Sequence, residues 1–464
     1  MDTHAEEPKI NTYWLFAILA AFIGIMSTVL IFKVPVPLAL FCTWFTVFLF
    51  GKLIGFSYES LQDGLIKGIL SGMIGVLIII TVGAIIGSWI AGGIVPSVIY
   101  YGLNAINPTL FLPIAFFVCA ITSLVTGTSF GSVGTVGIAM MGIGHGFDLP
   151  LPIVAGAVIS GAYVGDAISP LSDTTVLAAS LCEVTLIDHV KSMAWVGIPA
   201  GIVAFTAFAL TGSGYATDSQ SMAITDSLIA QLGESFVISP LLLLPLVVTI
   251  ILLAMKKPAM PVIFIGACLG VLCAWLVQGN TFIEAFKTLY LGNVGTYAGE
   301  NLDRILNRGG ISSMLPVVVI VIFALGLGGL MERLGVLDAV ARKLSKLAKG
   351  AGSLSVITIL CGFFGSVFGG AAYVSLFTAS SMTKKIYDTF SINRTVLSRN
   401  SEAGGTLSCP MIPWTSGAMF MSTTTGVGTL SYLPFMWYHF LFIAFSILAG
   451  ITGYAIWKQP KIAQ

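Results

Sequence analysis

AGAVISGAYVGDAISPLSDTTVLAAS, residues 155–180, is an apolar stretch long enough to cross a bilayer and interrupted at its middle by GDAISPLSDTT (165–175). Its flanks are those of a membrane helix, whereas its centre carries two aspartates, a proline and four hydroxyl side chains. Non-helical backbone at that depth must be buried in protein or line a cavity. Intramembrane carboxylates cost about 2.5–3.5 kcal/mol on insertion scales, so Asp166 and Asp173 are functional candidates by default.

The rest of the chain supplies the membrane setting. It has 464 residues, 56% hydrophobic and 9% charged, with a mean hydropathy of +0.98. Soluble domains carry roughly 25% charged residues, so most of this surface must face lipid. A net charge of +1 gives no electrostatic case for nucleic acid. The acidic N-terminus MDTHAEEPKI lacks the basic region of a cleavable signal. The seven cysteines lie in or beside apolar runs without CxxC spacing and are expected to pack as small apolar residues.

A span needs about 20 apolar residues. Such runs occur at 12–32, 35–55, 72–92, 193–211, 236–255, 260–278, 314–335 and 432–457. Four further apolar stretches are interrupted by Gly, Pro, Ser and Thr. Two read as broken spans, 152–184 and 394–427, the second centred on GGTLSCPMIPWT (404–415). Residues 353–383 are flanked by Arg342, Lys343, Lys346 and Lys349 on one side and by Lys384 and Lys385 on the other. Basic residues accumulate on the cytoplasmic side, so this stretch is expected to re-enter from inside, with its tip at FGGAAYVS (368–375). Residues 109–146 have no Lys or Arg at their flanks and are expected to re-enter from outside, with their tip at TGTSFGSVG (126–134). Lys52, Lys67, Lys191, Lys256, Lys257, Lys458 and Lys461 fall inside if both termini are cytoplasmic. Lys33, Lys287, Arg304 and Arg308 fall outside.

Landmarks recur. SWIAGGIVPSVI (88–99) resembles GLMERLGVLDAV (329–340), with Gly93 to Gly335 an offset of 242 that the tips keep from Gly127 to Gly369; Pro170 to Pro410 gives 240. The expectation is an all-α polytopic membrane protein with an inverted-topology repeat, halves 1–230 and 231–464. Each half holds five spans, one of them broken, and one hairpin. Secondary transporters use this plan and place their site where discontinuous helices meet near the midplane.

Broken helices leave N–H and C=O ends with partial charges of roughly +0.5 and −0.5. Carbonyls and hydroxyls can replace the hydration shell of Na+, and N–H ends can hold a carboxylate. The candidate cation and proton ligands are Asp166, Asp173, Ser169, Ser172, Thr174, Thr128, Ser129 and Glu402, with Na+ at Asp166 and Asp173. The candidate solute contacts are Thr126, Gly127, Gly369, Gly370, Ser408, Trp414 and Thr415. Simpler roles stand beside these: Asp173 as a helix cap, Glu402 as an ion-pair partner of Arg399, and Trp414 as packing. His145 and His189 are placed near membrane surfaces, Glu332 and Arg333 read as structural, and Trp89, Trp195, Trp437 and Trp457 read as interfacial belt residues.

Three stretches, TGTSFGSVGTVGIAMMGIG (126–144), the opening segment (155–180) and SRNSEAGGTLSCPMIPWTSGAMFMSTTTGV (398–427), resemble the NhaC-type sodium/proton antiporter family. The resemblance runs from about residue 72 to the last span. It implies Na+/H+ antiport with Na+ and H+ as coupling ions and no other cofactor, a scaffold with a mobile transport domain, and a homodimer in a bacterial inner membrane. The family also implies an alternative, Na+-coupled exchange of a small organic carboxylate or amino acid. Ala167 stands where the family motif usually has a polar residue. A channel would need a continuous pore, which an inverted repeat within one chain argues against. An intramembrane hydrolase built on His145, Asp166 and Ser172 would need His145 away from the surface, and an HExxH pattern is absent from the sequence.

Overall fold

The computed structural model describes residues 10–32, 34–215, 219–295, 297, 302–303 and 306–458. The N-terminal residues 1–9, Lys33, Arg304 and Lys461, to which the sequence assigns sides of the membrane, lie outside the described residues. The described chain is helical throughout, apart from one isolated bridge between Ile392 and Lys458. Nine described helices are long and apolar enough to span a bilayer, and large apolar side chains such as Phe16, Phe45, Ile74, Leu210 and Leu276 point outward. The chain is a multi-pass membrane protein.

Most expected spans appear as continuous helices: Thr12–Phe32, Val36–Ile54, Met73–Ala91, Leu186–Gly214, Ala259–Leu276 and Ile311–Arg333. Two do not. The run at 236–255 is Pro240–Ala254, joined to the preceding helix at 96°, and the run at 432–457 is split into Thr429–Phe435 and Trp437–Thr452, bent by 57°. At the first bend Pro240 opens a turn capped by Ser239, so the earlier helix cannot continue through it. Helices Tyr58–Ser71, Ile94–Ala105, Phe282–Leu291 and Val336–Ser345 are too short or too polar for a 20-residue apolar run to reveal.

Both hairpins fold back on themselves. In the first, Phe111–Thr126 turns at Gly127 into a helical run from Ser129 to Gly146, which contains a π-turn at Val133–Gly137. Its two ends meet where Phe111 packs edge-on against Phe147. In the second, Ala351–Gly369 turns at Gly370 into Ala372–Thr389, and Thr358 meets Tyr387 across the arms at 3.2 Å. The turn residues Gly127 (φ 70°) and Gly370 (φ 67°) are left-handed, and each N–H bonds a serine carbonyl four residues back, Ser123 and Ser366. A side chain is disfavoured at both.

Helix Trp437–Thr452 relates the hairpins to each other. Near its start, Trp437 stacks on Phe208, and Gly212 of the same neighbouring helix abuts Thr109 at the first hairpin's mouth. Near its end, Ile451 abuts Gly352 at the second hairpin's mouth. The two hairpins therefore open toward opposite ends of the bundle.

Element starts recur along the chain. Ser129 and Ala372, Leu151 and Arg394, Asp173 and Ser416, and Leu186 and Thr429 are each 243 apart (372 − 129 = 243), while Ile94 and Val336 are 242 apart. The tips align Gly127 with Gly370, one residue beyond Gly369. The halves also exchange helices. Met73–Ala91 packs on Ala259–Leu276 and Phe282–Leu291, whereas Ile311–Arg333 packs on Tyr58–Ser71 and Val36–Ile54. The latter contact is close enough that a Cβ on Gly68 would lie 2.4 Å from the Leu325 carbonyl oxygen, a small-residue contact typical of membrane helices.

Candidate functional site

The first broken span runs as Leu151–Ile168, an extended break, and Asp173–Leu181. Pro170 prevents a continuous helix, and Ser169 pins the break to the first hairpin by donating to the Leu124 carbonyl at 2.8 Å. The second helix is capped by Ser172, whose hydroxyl accepts from Thr175 N–H at 3.4 Å. Asp173 is thus not the cap; its Oδ1 accepts from Thr174 N–H at 3.0 Å, and its Oδ2 is left for a partner across the cavity. The second broken span runs as Arg394–Gly404, an irregular stretch through Thr415, and Ser416–Thr425, with Thr415 as cap. It is tied to the second hairpin tip twice, by Ser416 N–H to the Gly370 carbonyl at 2.8 Å and by Trp414 Nε1–H to the Val367 carbonyl at 2.7 Å.

All four interrupted elements face one cavity of about 370 Å³. From the first hairpin come Thr128 and Ser129, from the first broken span Asp166, Asp173 and Thr174, and from the second hairpin Ala371, Ala372 and Tyr373. The second broken span supplies Thr406, Cys409, Ser416 and Gly417, and Ser71–Ile78 forms one side. Each interrupted element presents the start of a helix here: the runs beginning at Ser129, Asp173, Ala372 and Ser416. The Ala372 helix has no side-chain cap. No Lys or Arg lines the cavity among the described residues.

Asp166 is 4% exposed, and its Oδ1 has no hydrogen-bond partner among the described residues. Asp173 accepts a hydrogen bond from the Tyr373 hydroxyl across the cavity. A buried carboxylate oxygen with no donor is costly unless a proton or cation meets it. Two carboxylates, the hydroxyls of Thr128, Ser129 and Thr174, and nearby carbonyls are hard oxygen donors of the kind an alkali cation takes.

The other sequence candidates sit behind this lining. Thr126 and Gly127 form the first tip, Gly369 and Gly370 the second. Ser408 bonds Ser366 at 3.1 Å, and Thr415 donates to the Cys409 carbonyl at 2.5 Å. Trp414 packs on Phe22 with ring centres 5.9 Å apart, so its place is between elements and outside the cavity lining. Arg399 and Glu402 form no ion pair; Arg399 is buried and donates to the Ala455 carbonyl at 3.2 Å. His189, in the first turn of Leu186–Gly214, is enclosed by protein, with Nδ1 2.8 Å from the Ser398 hydroxyl. Trp89 is no belt residue, since it is buried and its Nε1–H meets the Gly266 carbonyl at 2.8 Å.

Sequence reading missed Tyr373, Tyr163, Thr406 and Cys409. The repeat could have found them. Seven lining pairs are 243 apart: Thr128 and Ala371, Ser129 and Ala372, Phe130 and Tyr373, Tyr163 and Thr406, Asp166 and Cys409, Asp173 and Ser416, Thr174 and Gly417.

The model of the Na+/H+ antiporter family matches residues 8–183 and 161–454. The chain is 45% identical over 444 residues to the malate-2H(+)/Na(+)-lactate antiporter of Bacillus subtilis, covering 96% of this chain and 95% of that protein. It is 32% identical to the Na(+)/H(+) antiporter NhaC of Alkalihalophilus pseudofirmus, covering 95% of each. To the arginine/ornithine antiporter ArcD of Halobacterium salinarum it is 34% identical, covering 87% of this chain and 83% of that one. A polytopic helical chain with paired hairpins, broken spans and a shared acidic cavity, matched over nearly its whole length, belongs to the Na+/H+ antiporter family.

Proposed function

We propose that this antiporter exchanges Na+ and protons and carries a small organic carboxylate in the same cycle, with the cavity at Asp166 and Asp173 as the shared site. The observation that carries this reading is the convergence of four helix starts on two carboxylates, without Lys or Arg. Four helix starts bring about +2 in partial charge, which the two ionised aspartates offset. Binding Na+, or protonating one aspartate, then leaves the site positive by one. A solute carboxylate restores the balance, with backbone N–H groups to receive it. Ion and solute therefore favour each other's binding, which couples the solute to the cation that travels with it, while Na+ and the proton compete for the same aspartates, which is what exchange needs.

Na+ is held by Asp166 and Asp173 with the hydroxyls of Thr128, Ser129 and Thr174; Ser169 and Ser172 shape the break, and the tip glycines let the hairpins approach. The related proteins' names are in keeping with this: malate, lactate, arginine and ornithine all bear a carboxylate. Exchange of Na+ for H+ alone is the second reading, favoured by the similarity to NhaC. The 243-residue recurrence and the opposed hairpins support an inverted repeat of halves 1–230 and 231–464, working by alternating access of a mobile unit against a scaffold. Termini on the cytoplasmic side of a bacterial plasma membrane and assembly as a homodimer complete the proposal.

Titrating the purified protein with malate or lactate, with and without Na+, tests the reading. Na+ is expected to tighten carboxylate binding by about tenfold or more. Carboxylate binding that is indifferent to Na+, or absent at millimolar solute, leaves plain Na+/H+ exchange.

A further inference from the structure

Behind the cavity lies a second acidic position that the cation site does not use. Glu402, in the last turn of Arg394–Gly404, is 1% exposed and does not line the cavity. Its Oε1 has no hydrogen-bond partner among the described residues, and the same is true of the neighbouring Thr406 Oγ1 and Tyr438 hydroxyl. Buried polar atoms are nearly always paired, and a group of orphans around one carboxyl marks a place where a proton or ordered water completes the bonding. Position 159, the counterpart of Glu402 at the 243 offset, is Ile159. The acid is therefore an addition to the second half and no part of the repeated scaffold.

Glu402 is also connected to the cavity. Thr406 lies beside it and lines the cavity from the same element. The titratable groups facing Glu402 are Asp166 and Asp173 from the first broken span, Cys182 just beyond it, and Tyr438 from Trp437–Thr452. Those on the other packed helices are engaged elsewhere: His189 with Ser398, Tyr387 with Asn400, and Lys384 with Glu183. Arg399, three residues earlier on the same helix, turns to the Ala455 carbonyl, and among the described residues no Lys or Arg pairs with the Glu402 carboxyl.

We propose that Glu402 is an occluded proton-carrying site, distinct from the Na+ site at Asp166 and Asp173, that loads from the cavity through the Thr406 hydroxyl. In the loading step a hydronium ion of the cavity gives a proton to Thr406 Oγ1 while the original Thr406 O–H bond breaks and its proton passes to the Glu402 carboxylate, leaving water, a restored Thr406 hydroxyl and a carboxylic acid. The release step is the reverse. This rests on the antiporter reading above and adds a division of labour: one acid carries the proton while the aspartates carry the ion.

The test pairs Glu402→Gln with Asp166→Asn in purified protein and in proteoliposomes. Glu402→Gln is expected to bind Na+ within about threefold of the unaltered protein while Na+-driven proton movement falls by about 100-fold or more. Asp166→Asn should lose Na+ binding itself. Infrared difference spectra between acid and alkaline pH should show the carbonyl stretch of a buried carboxylic acid that vanishes in Glu402→Gln and persists in Asp166→Asn, and Glu402→Asp should restore part of the proton movement. Unchanged proton movement in Glu402→Gln, loss of its Na+ binding, or an infrared band that survives the substitution would each overturn the proposal. Because the infrared band needs no transported solute, it is read independently of whether the unaltered protein couples Na+ to protons.

Discussion

The two halves of the cavity share a backbone and differ in chemistry. Helix starts and caps on the two sides correspond at a single offset, down to Ser172 and Thr415 as caps of the half-helices after each break. The side chains do not correspond. The first half brings Asp166, Asp173, Thr128 and Ser129, and the second offers Cys409, Ser416, Ala371 and Ala372 at the matching places. The shape of the cavity thus follows the recurring helix starts, whereas its carboxylates all come from one side.

The halves also differ in access. Gly72, Ile74, Gly75 and Ile78 line the cavity, whereas no described residue of Ile311–Arg333 does. At the 242 offset that Ile94 and Val336 keep just beyond these two helices, the counterparts of Ile74 and Ile78 are Pro316 and Ile320. An inverted repeat that works by exchanging the conformations of its halves should reverse this difference. What is open along Met73–Ala91 here should close as the Ile311–Arg333 side opens.

The largest expected effect separates the two sides chemically. Removing one anionic ligand from a buried cation costs on the order of 3 kcal/mol, about 100-fold in affinity. Asp166→Asn should therefore abolish Na+ binding measured with radioactive sodium, while Cys409→Ser at the matching position should change it by less than about threefold. Equal losses in the two variants would break the comparison. Access is next. In a background without the native cysteines, Ile78→Cys should react with a membrane-impermeant maleimide, and Ile320→Cys should be protected. Reversing the ion gradient should reverse the pattern; reactivity unaltered by the gradient would contradict alternating access through these two faces.

A smaller effect concerns Tyr373, which stands where the first half has Phe130. Loss of a hydrogen bond to a charged group costs about 1.5–3 kcal/mol in general, so Tyr373→Phe should weaken Na+ binding by about tenfold, with Phe130→Tyr far less damaging. At the tips, Gly127→Ala and Gly370→Ala should each lower thermal stability by about 1–2 kcal/mol from the left-handed backbone alone. The first should lose more, since its Cβ would meet Leu171 backbone at 2.6 Å against Ala324 at 2.9 Å for the second. The smallest effect lies outside the membrane. Glu183, in the loop beyond the first broken span, is paired with Lys384 and Arg394, and these hydrogen bonds hold its carboxyl below the usual range. The stabilisation is present above the ordinary carboxylate pKa of about 4.3 and is lost as pH falls through the depressed folded value. Glu183→Gln should shift the melting temperature slightly at neutral pH and not at all below that range.

Much of this was legible in the sequence, and the reasons for the rest are specific. Long apolar runs and the charges around 353–383 located the spans and the second hairpin because hydropathy and basic-residue bias report directly on the bilayer. Asp166 and Asp173 stood out because acids are rare at that depth. Tyr373 did not, since a tyrosine in FGGAAYVS differs little in pattern from the phenylalanines around it; only the fold brings its hydroxyl to Asp173. The Arg399 and Glu402 pairing failed for a related reason. Spacing along one helix allows that contact, but the neighbouring helices decide it, and Arg399 turns to Ala455. The short helices at Tyr58–Ser71 and Val336–Ser345 were invisible because they bury only one face.

The most direct single measurement imposes an outward Na+ gradient on proteoliposomes loaded with a pH dye, with and without malate or lactate on the outside, using the unaltered protein and Asp166→Asn. Coupling through the cavity should appear as proton movement that needs Na+, rises by about tenfold or more with the carboxylate, and disappears in Asp166→Asn. Proton movement of the same size without the carboxylate, and unaffected by Asp166→Asn, would contradict the assignment of the shared site to this cavity.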